Sequence, residues 1–351
     1  YVFAFFFFFV DLFTSVSIGV VIYAGANLET RNVVSLGVLI AFINLVGKFY
    51  RPIQDISEKF TILQSAMAGS ERVFELLDTD ETIPDSADGA APGIGTRGAV
   101  ELANVHFGYH QNEPVIEDLS FEIKPGERVA IVGYTGAGKT TVANLLARFW
   151  DIWSGSIRID GVDIRELPLA ELRRIVQPVQ QDVFLFSGSI LDNIGLGRDI
   201  PREKIIEASK AVSAHPFIEK LSHGYETLVQ ESGANLSSGQ RQLISFARAI
   251  AGAPRIIVLD EATSSVDTET EKLIQNGIET LLTGRTSLTI AHRLSTIRDA
   301  DRIIVMNRGR LVESGSHDEL IAHDGMYAML YRLQYAGNKS EGGDGSGKND
   351  Q

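Results

Sequence analysis

The chain contains no cysteine, which excludes disulfides and thiolate metal sites but does not identify a cellular compartment. It also lacks a cluster of basic residues, and its 32 Lys and Arg against 45 Asp and Glu give a formal net charge of −13. This acidic balance makes nucleic acid a poor candidate partner. With 351 residues, the chain has room for two or three domains.

The first fifty residues have the composition of a membrane segment. Residues 1–24 read YVFAFFFFFVDLFTSVSIGVVIYA, about the length needed to cross roughly 30 Å of hydrocarbon as a helix. The run has no basic leader, no A-x-A site and no initiating Met, so we interpret it as a span of a chain that starts mid-protein, not as a cleaved signal peptide. Asp11 near its middle is costly in lipid, which makes it a functional-site hypothesis; a structural pairing is an equal alternative.

A second apolar run, VVSLGVLIAFINLVG, occupies residues 33–47. It is short for a span, although the aromatic residues at 49–50 extend it to the interface, and a buried core helix is the alternative. Because basic residues follow this run, the positive-inside rule places the chain from residue 48 onward in the cytoplasm. Apolar residues then recur at helical spacing, and we expect Pro52 to bend this helix without ending it.

Two segments have the composition of linkers. Residues 79–98 are rich in acids, prolines and glycines, and residues 338–351 have almost nothing apolar to bury. The first is predicted to be a linker and the second a disordered tail. Between and before them lie a cytoplasmic domain over 99–337 and a membrane part with a cytoplasmic extension over 1–78.

A glycine-rich loop follows the apolar run at 129–132. Residues 133–141 read GYTGAGKTT, which completes G-x-x-x-x-G-K-[ST] between a strand and a helix predicted over 142–148. Glycines let successive backbone N–H groups point at phosphate oxygens, and the helix N-terminus adds a positive dipole. Lys139 would reach the β- and γ-phosphates, and Thr140 would bind Mg²⁺. The candidate ATP ligands of the loop are Gly133, Thr135, Gly136, Ala137, Gly138, Lys139, Thr140 and Thr141.

An apolar strand that ends in two acids supplies the second half of an ATP site. Residues 256–261 read IIVLDE, and such a continuous hydrophobic run is typical of a buried parallel strand. Asp260 would hold Mg²⁺, directly or through water, and Glu261 would polarise the attacking water.

Between these motifs, residues 235–240 read NLSSGQ and open a helix predicted over 241–251, with Ser237 or Ser238 as its N-cap. The residues alone favour two interpretations equally. One is an ordinary capped helix, and the other is a helix whose N-terminus and Ser237 hydroxyl face a γ-phosphate.

With these motifs in this order, residues 1 to about 335 resemble an ATP-binding cassette exporter, specifically the C-terminal part of a half-transporter. The resemblance implies an α-helical membrane segment followed by an α/β P-loop NTPase domain with a RecA-like core, an antiparallel β-subdomain and a helical subdomain. It implies ATP and Mg²⁺ as cofactors and a second half-transporter subunit, in a homo- or heterodimer, as partner. It also implies an integral protein in contact with membrane lipid, in the plasma (inner) membrane of a bacterium, that exports a lipid or an amphipathic drug.

The resemblance assigns further roles near the nucleotide. Tyr109 would stack on adenine, with a tyrosine packed in a sheet as the alternative. Gln181 would be the lid glutamine that binds Mg²⁺, and Gln180 is its alternative. His292 would be the switch histidine near the γ-phosphate.

Other matching residues face the partner. Asp267 would lie in the loop that crosses the dimer interface, and Glu231 would touch intracellular loops, with a solvated loop charge as its alternative. Ser238 departs from the family pattern, which has a second glycine there. The signature residues that would bind the partner's ATP are Ser237, Gly239 and Gln240.

Two rival functions remain open at this point. One is a soluble cassette ATPase that acts on nucleic acid or the ribosome, against which the apolar runs and the acidic charge argue. The other is a non-catalytic partner subunit that binds ATP for assembly only, against which the intact Glu261 argues.

Overall fold

The computed structural model describes residues 2–31, 33–79, 82–85, 97–230, 233–260, 268–291 and 294–333. The predicted tail and most of the predicted linker lie outside these residues. The chain divides into two compact units, residues 1–82 and residues 83–351.

The first unit is a pair of long helices. α1 spans Val2–Thr30 and α2 spans Leu36–Asp78. α2 begins three residues after the start of the second apolar run, because Ser35 has extended backbone angles (φ −83°, ψ 154°). The helix continues through Pro52, as predicted.

Contacts of two kinds join α1 to α2. A Cβ on Gly25 would lie 2.2 Å from Leu39 Cδ1, so a larger residue there would displace the leucine. The hydroxyls of Ser17 and Tyr50 lie 3.0 Å apart and share a hydrogen bond. Small residues and interhelical hydrogen bonds are what hold helices together in lipid, where the hydrophobic effect between helices is absent.

One helical segment among the described residues, Phe5–Thr30, is long and apolar enough to cross a membrane, by length and composition, with a mean hydropathy of 2.2. It contains most of the first apolar run. The span over the second run stays a prediction.

The second unit is an α/β domain that contains three sheets within the described residues. Its strands are β1 Val100–Phe107, β2 Ile116–Ile123, β3 Arg128–Gly133, β4 Ser154–Ile159, β5 Val162–Asp163, β6 Val176–Val179, β7 Gly188–Ser189, β8 Leu228–Val229, β9 Ile256–Asp260, β10 Thr286–Ile290, β11 Arg302–Asn307 and β12 Arg310–Gly315. Its helices are α3 Lys139–Leu146, α4 Leu169–Ile175, α5 Ile190–Gly195, α6 Arg202–Ala211, α7 His215–Glu219, α8 Ser238–Ala251, α9 Thr268–Leu282, α10 Leu294–Arg298, α11 His317–His323 and α12 Met326–Tyr331, with a 3₁₀ turn at Gly224–Glu226.

The central sheet has six strands in the order β12-β11-β3-β10-β9-β6. All its pairings are parallel except that of β12 with β11. Successive residues of β9 face different hydrophobic cores: Ile256 and Val258 lie in one, and Ile257 and Leu259 lie in another. Because both faces are buried, the strand reads as a continuous apolar run. The C-terminal ends of β3, β10 and β9 lie at the same edge of the sheet because these strands pair in parallel.

Three cores divide the domain. The first joins the antiparallel sheet β2-β1-β4-β5 to α3 and one face of the central sheet. The second packs α5 to α9 against the other face, and a smaller third core holds α10 to α12 against β3 and β11. This arrangement confirms the predicted RecA-like core with an antiparallel β-subdomain and a helical subdomain.

Two helices start three residues earlier than predicted. α3 begins at Lys139, not at 142, because Gly138 in the left-handed conformation (φ +96°) already ends the loop. α8 begins at Ser238, not at 241, because Ser237 caps it. The pattern of apolar residues locates a helix interior well, but a polar first turn carries no such pattern.

Two described parts of the predicted linker, residues 84–85 and 97–98, make hydrogen bonds within the second unit. The buried Arg148 donates from Nη2 to the carbonyl of Pro84 at 3.0 Å, and Asp85 Oδ1 accepts the first N–H of α4 at 2.9 Å. The Asp160 carboxylate accepts three successive backbone N–H groups at residues 97–99, at 2.8 to 3.1 Å. Residues 84–85 and 97–99 are therefore part of the domain surface.

An ion pair ties the start of β3 to β11. Arg302 donates from Nε to Glu127 Oε1 at 2.8 Å and from Nη2 to the carbonyl of Glu122. Burial raises the pKa of Glu127, but hydrogen bonds from Arg302 and from the Lys124 N–H outweigh it and hold that pKa below its ordinary value. The carboxylate is thus stabilised in its charged form.

Replacing Arg302 by Ala should lower the free energy of unfolding of the second unit by about 1–3 kcal/mol at pH 7, the range for losing hydrogen bonds to a charged group. Since the folded-state pKa of Glu127 is depressed, this contribution is present above the unfolded pKa and is lost as the pH falls through the folded pKa. Thermal unfolding followed by tryptophan fluorescence measures it, because both tryptophans lie in this unit.

Arg310→Ala, which breaks an exposed surface pair with Glu117, is the control and should leave the free energy of unfolding close to that of wild type. The difference between wild type and Arg302→Ala should shrink as the pH falls through the depressed pKa of Glu127 in the folded state. A difference that does not change with pH would contradict the electrostatic role.

Candidate nucleotide-binding site

The phosphate loop lies between β3 and α3. Gly136 and Gly138 have φ values of +80° and +96°, which residues with a side chain seldom adopt. A Cβ on Gly138 would also lie 2.7 Å from Ile116 Cδ1 and 3.3 Å from the Val115 carbonyl. Both glycines are therefore required for the path that brings Lys139 into the first turn of α3.

Lys139 lies folded across the loop. Its Nζ donates to the carbonyls of Gly133 and Tyr134 at 2.9 and 3.0 Å, and the residue is 9% exposed. Burial lowers the pKa of Lys139, and the nearby charge of Asp260 offsets part of that effect. The ammonium group is thus held by the loop itself at the base of the site.

The first turn of α3 meets the end of β9. Thr140 Oγ1 donates to Asp260 Oδ2 at 3.3 Å, although 120 residues separate them in sequence. Within the described residues no group of three or more His, Cys, Asp or Glu is arranged to hold a metal ion. Because Mg²⁺ keeps several waters and binds through one or two protein oxygens plus substrate phosphates, this sparse oxygen pair suits it.

A cavity of about 320 Å³ lies beside this pair. Gln180 and Gln181 both line it, so the geometry keeps both glutamines as candidates. Asn144 was not predicted; its place four residues after Thr140 puts it on the same helix face, and that spacing could have revealed it. The polar residues that line the cavity are Thr140, Asn144, Gln180, Gln181, Asp182 and Asp260.

Tyr109 follows β1 and lies next to α3. Its hydroxyl donates to Thr141 Oγ1 at 3.2 Å. Its ring is packed edge-to-face against Phe107 and Trp150, with centroids 5.1 and 5.3 Å away. The tyrosine remains 38% exposed, so it is a surface residue of an aromatic cluster and not one packed inside the sheet.

Ser237 caps α8 with a capping box. Its Oγ accepts from the Gln240 N–H at 3.2 Å, and Gln240 Oε1 accepts from the Ser237 N–H at 3.0 Å. A hydroxyl has a donor as well as two acceptor lone pairs, so this cap leaves the Ser237 proton available. The two interpretations left open by the sequence are thus chemically compatible. Ser237 and Ser238 are both exposed.

Gly239 has a packing role that its sequence motif does not reveal. It is buried in the first turn of α8, and a Cβ there would lie 2.1 Å from Thr270 Cγ2 in α9. No side chain fits between these helices unless Thr270 moves. This contact depends on a residue 31 positions away, so the local sequence carries no signal for it.

Four predicted site residues lie outside the described residues: Glu231, Glu261, Asp267 and His292. Two of them follow directly after strand ends, Glu261 after β9 and His292 just after β10. Their backbone neighbours Asp260 and Ala291 are described, and both lie at the edge of the sheet that carries the phosphate loop.

A parallel sheet with a glycine-rich phosphate loop after one strand and an acid at the end of a non-adjacent strand defines a P-loop NTPase. Comparison with known families narrows this class. The family described as "ABC transporter" matches residues 116–264. This match confirms the resemblance to ABC transporters that was inferred from the motifs.

Two curated proteins and one solved structure show which ABC transporters this chain is similar to. It is 46% identical to the uncharacterized ABC transporter ATP-binding protein YknV of Bacillus subtilis (strain 168), over 93% of this chain and 54% of that protein. It is 42% identical to an ATP-dependent lipid A-core flippase of Legionella pneumophila (strain Lens), over 95% of this chain and 56% of that protein. A solved bacterial Atm1-family ABC exporter with ATP bound superposes with a TM-score of 0.70 at 36% identity, covering 95% of this chain and 57% of that chain.

This chain therefore spans about half the length of the curated relatives it matches.

Gly239→Ala should reduce the free energy of unfolding of the second unit by about 1–3 kcal/mol, the usual cost of an overpacked core position. Adding Thr270→Ser removes the methyl group that the new Cβ would strike and should restore most of the loss. Thermal unfolding by tryptophan fluorescence measures both variants, with Thr270→Ser alone as the control. A double variant no more stable than Gly239→Ala would contradict the packing role.

Proposed function

We propose that this chain is the C-terminal part of an ABC half-transporter that exports a substrate across a membrane at the expense of ATP hydrolysis. The observation that carries the proposal is the hydrogen bond between Thr140 and Asp260, because it joins the phosphate loop to the acid of a distant strand at one sheet edge. A glycine-rich turn that binds nothing has no need for that junction.

In this proposal the loop N–H groups and Lys139 hold the phosphates of ATP. Lys139 would exchange its two loop carbonyls for β- and γ-phosphate oxygens. Thr140, Asp260 and Gln181 would hold Mg²⁺, which when bound neutralises charge that develops on the phosphates. The cavity of about 320 Å³ beside Asp260, with polar residues from α3, from residues 180–182 and from the end of β9 in its lining, supports this assignment.

Glu261 would be the general base that orients and polarises the attacking water, and His292 would contact the γ-phosphate. The support is positional: each follows a strand of the central sheet at the edge that carries the phosphate loop. With Glu261 present, we propose a hydrolytic site and not an ATP-binding subunit that serves assembly only.

A second half-transporter subunit would complete the site. Ser237, with Gly239 and Gln240 behind it, would meet the ATP held by the partner, since the hydroxyl proton of Ser237 remains available after capping. Ser238 adds a side chain at this exposed turn, where the family pattern has glycine. Asp267 would lie at the dimer interface, and Glu231 would contact the membrane part.

The membrane assignment rests on the apolar α1 and on the relatives. We propose an integral protein of a bacterial plasma (inner) membrane with the nucleotide-binding domain in the cytoplasm. A lipid or amphipathic drug is the proposed substrate class, supported by the likeness to the Legionella protein named as a lipid A-core flippase. A soluble ATPase that handles nucleic acid or the ribosome is not favoured.

Glu261→Gln in the assembled transporter should bind ATP with unchanged affinity and hydrolyse it at least about a hundredfold more slowly, the scale of a lost general base. Phosphate release under single-turnover conditions measures the chemical step, and calorimetry measures the binding. Glu269→Gln, an acid in the first turn of α9, is the matched control and should keep turnover near wild type. Near-normal turnover in Glu261→Gln would remove this residue from the proposed role.

Lys139→Ala should raise the dissociation constant for ATP by at least about tenfold, because it removes charge-assisted hydrogen bonds to the phosphates. Titration calorimetry of the full chain measures this constant. Lys204→Ala, at an exposed lysine of α6, should leave it unchanged. Equal ATP affinity in Lys139→Ala and wild type would contradict the proposed site.

A further inference from the structure

One contact in the candidate site links two parts that the family motifs treat separately. Tyr109 Oη donates a hydrogen bond to Thr141 Oγ1 at 3.2 Å. Thr141 is the third residue of α3, two after Lys139, and is only 6% exposed. An aromatic residue just after β1 of the antiparallel sheet is thus hydrogen-bonded to the helix that begins at the phosphate loop.

The tyrosine ring is held at more than this one point. Phe107 and Trp150 pack against it at interplanar angles of 83° and 87°, the edge-to-face arrangement that aromatic pairs favour. These neighbours restrict the tilt of the ring, and the hydroxyl restricts its position along α3. The ring is therefore fixed before any ligand arrives, and 38% of the residue stays exposed.

The hydrogen-bond chemistry of Thr141 leaves it a second function. The Thr141 hydroxyl accepts from Tyr109, and in doing so it keeps its own proton to donate. Among the described residues, the Tyr109 contact is the hydrogen bond that its side chain makes. A phosphate oxygen in the loop is a strong acceptor for that proton.

We propose that Thr141 is a positioning residue for base recognition: its hydroxyl fixes the Tyr109 ring at a set distance from the phosphate loop. This inference rests on the proposed ATP site. The ring is then in place to contact the base of a nucleotide whose phosphates are bound by the loop. The ligand class is a nucleoside triphosphate. Inorganic tripolyphosphate has no base, so its binding does not depend on the Tyr109 ring.

The test compares ATP with tripolyphosphate in variants that keep the ring. Tyr109→Phe removes only the hydroxyl, and Thr141→Val removes its partner while keeping the shape. Calorimetry of the full chain with Mg²⁺ gives the dissociation constant of each probe. Tryptophan emission reports occupancy near Tyr109, because Trp150 and Trp153, the two tryptophans of the chain, both contact Phe107 of the same cluster.

Tyr109→Phe should weaken ATP binding about three- to tenfold, the range for one hydrogen bond, and leave tripolyphosphate binding within twofold of wild type. In a Thr141→Val background the same change should have less than a twofold further effect, because its partner is already gone. Thr141→Ser, which restores the hydroxyl, should restore ATP affinity. Tyr225→Phe is the matched control: it removes a hydroxyl that is hydrogen-bonded to His215 outside the candidate site, and it should bind ATP like wild type.

Equal ATP affinity in Tyr109→Phe and wild type would overturn this inference and leave the ATP site standing. So would additive losses in the double variant, or equal losses for ATP and tripolyphosphate. Failure of the wild-type chain to bind either probe would instead overturn the proposed function. The two failures are therefore distinguishable in one set of titrations.

Discussion

The parallel pairing of β3, β10 and β9 is the constraint on which the candidate site depends. It places the ends of the three strands at one edge of the sheet, where β3 feeds the phosphate loop and β9 ends in Asp260. The outer two strands are roughly 10 Å apart, twice the usual strand spacing. A first helical turn at α3 spans that gap, and the bond from Thr140 to Asp260 closes it. Side chains that face different cores keep the sheet buried on both sides.

Much of this arrangement was predictable because it depends on short stretches of the sequence. The phosphate loop, the apolar strand that ends in Asp260 and the cap at Ser237 each lie within a few residues, so their patterns predict structure directly. The packing of Gly239 on Thr270 and the bond from Tyr109 to Thr141 were not predictable. Each joins residues about 30 positions apart through side-chain geometry, and no periodicity encodes such a contact.

At the start of α8, one side chain stabilises the helix and stays chemically able to bind a ligand. Ser237 uses its oxygen to hold the helix terminus and keeps its proton, while Gly239 allows α9 to lie against the same turn. The helix end is therefore rigid in the single subunit, so little ordering would remain to oppose association with a second one. The sequence motif that is typical of a ligand site therefore also allows α8 to pack closely against α9.

Two groups of hydrogen bonds hold parts of the segment between α2 and β1 on the second unit. The Pro84 carbonyl and the Asp85 carboxylate accept hydrogen bonds from Arg148 and from the start of α4, and the N–H groups of residues 97–99 donate to Asp160. Pro84 comes only six positions after Asp78, the last residue of α2, so the covalent link between the helix and the first of these hydrogen bonds is short.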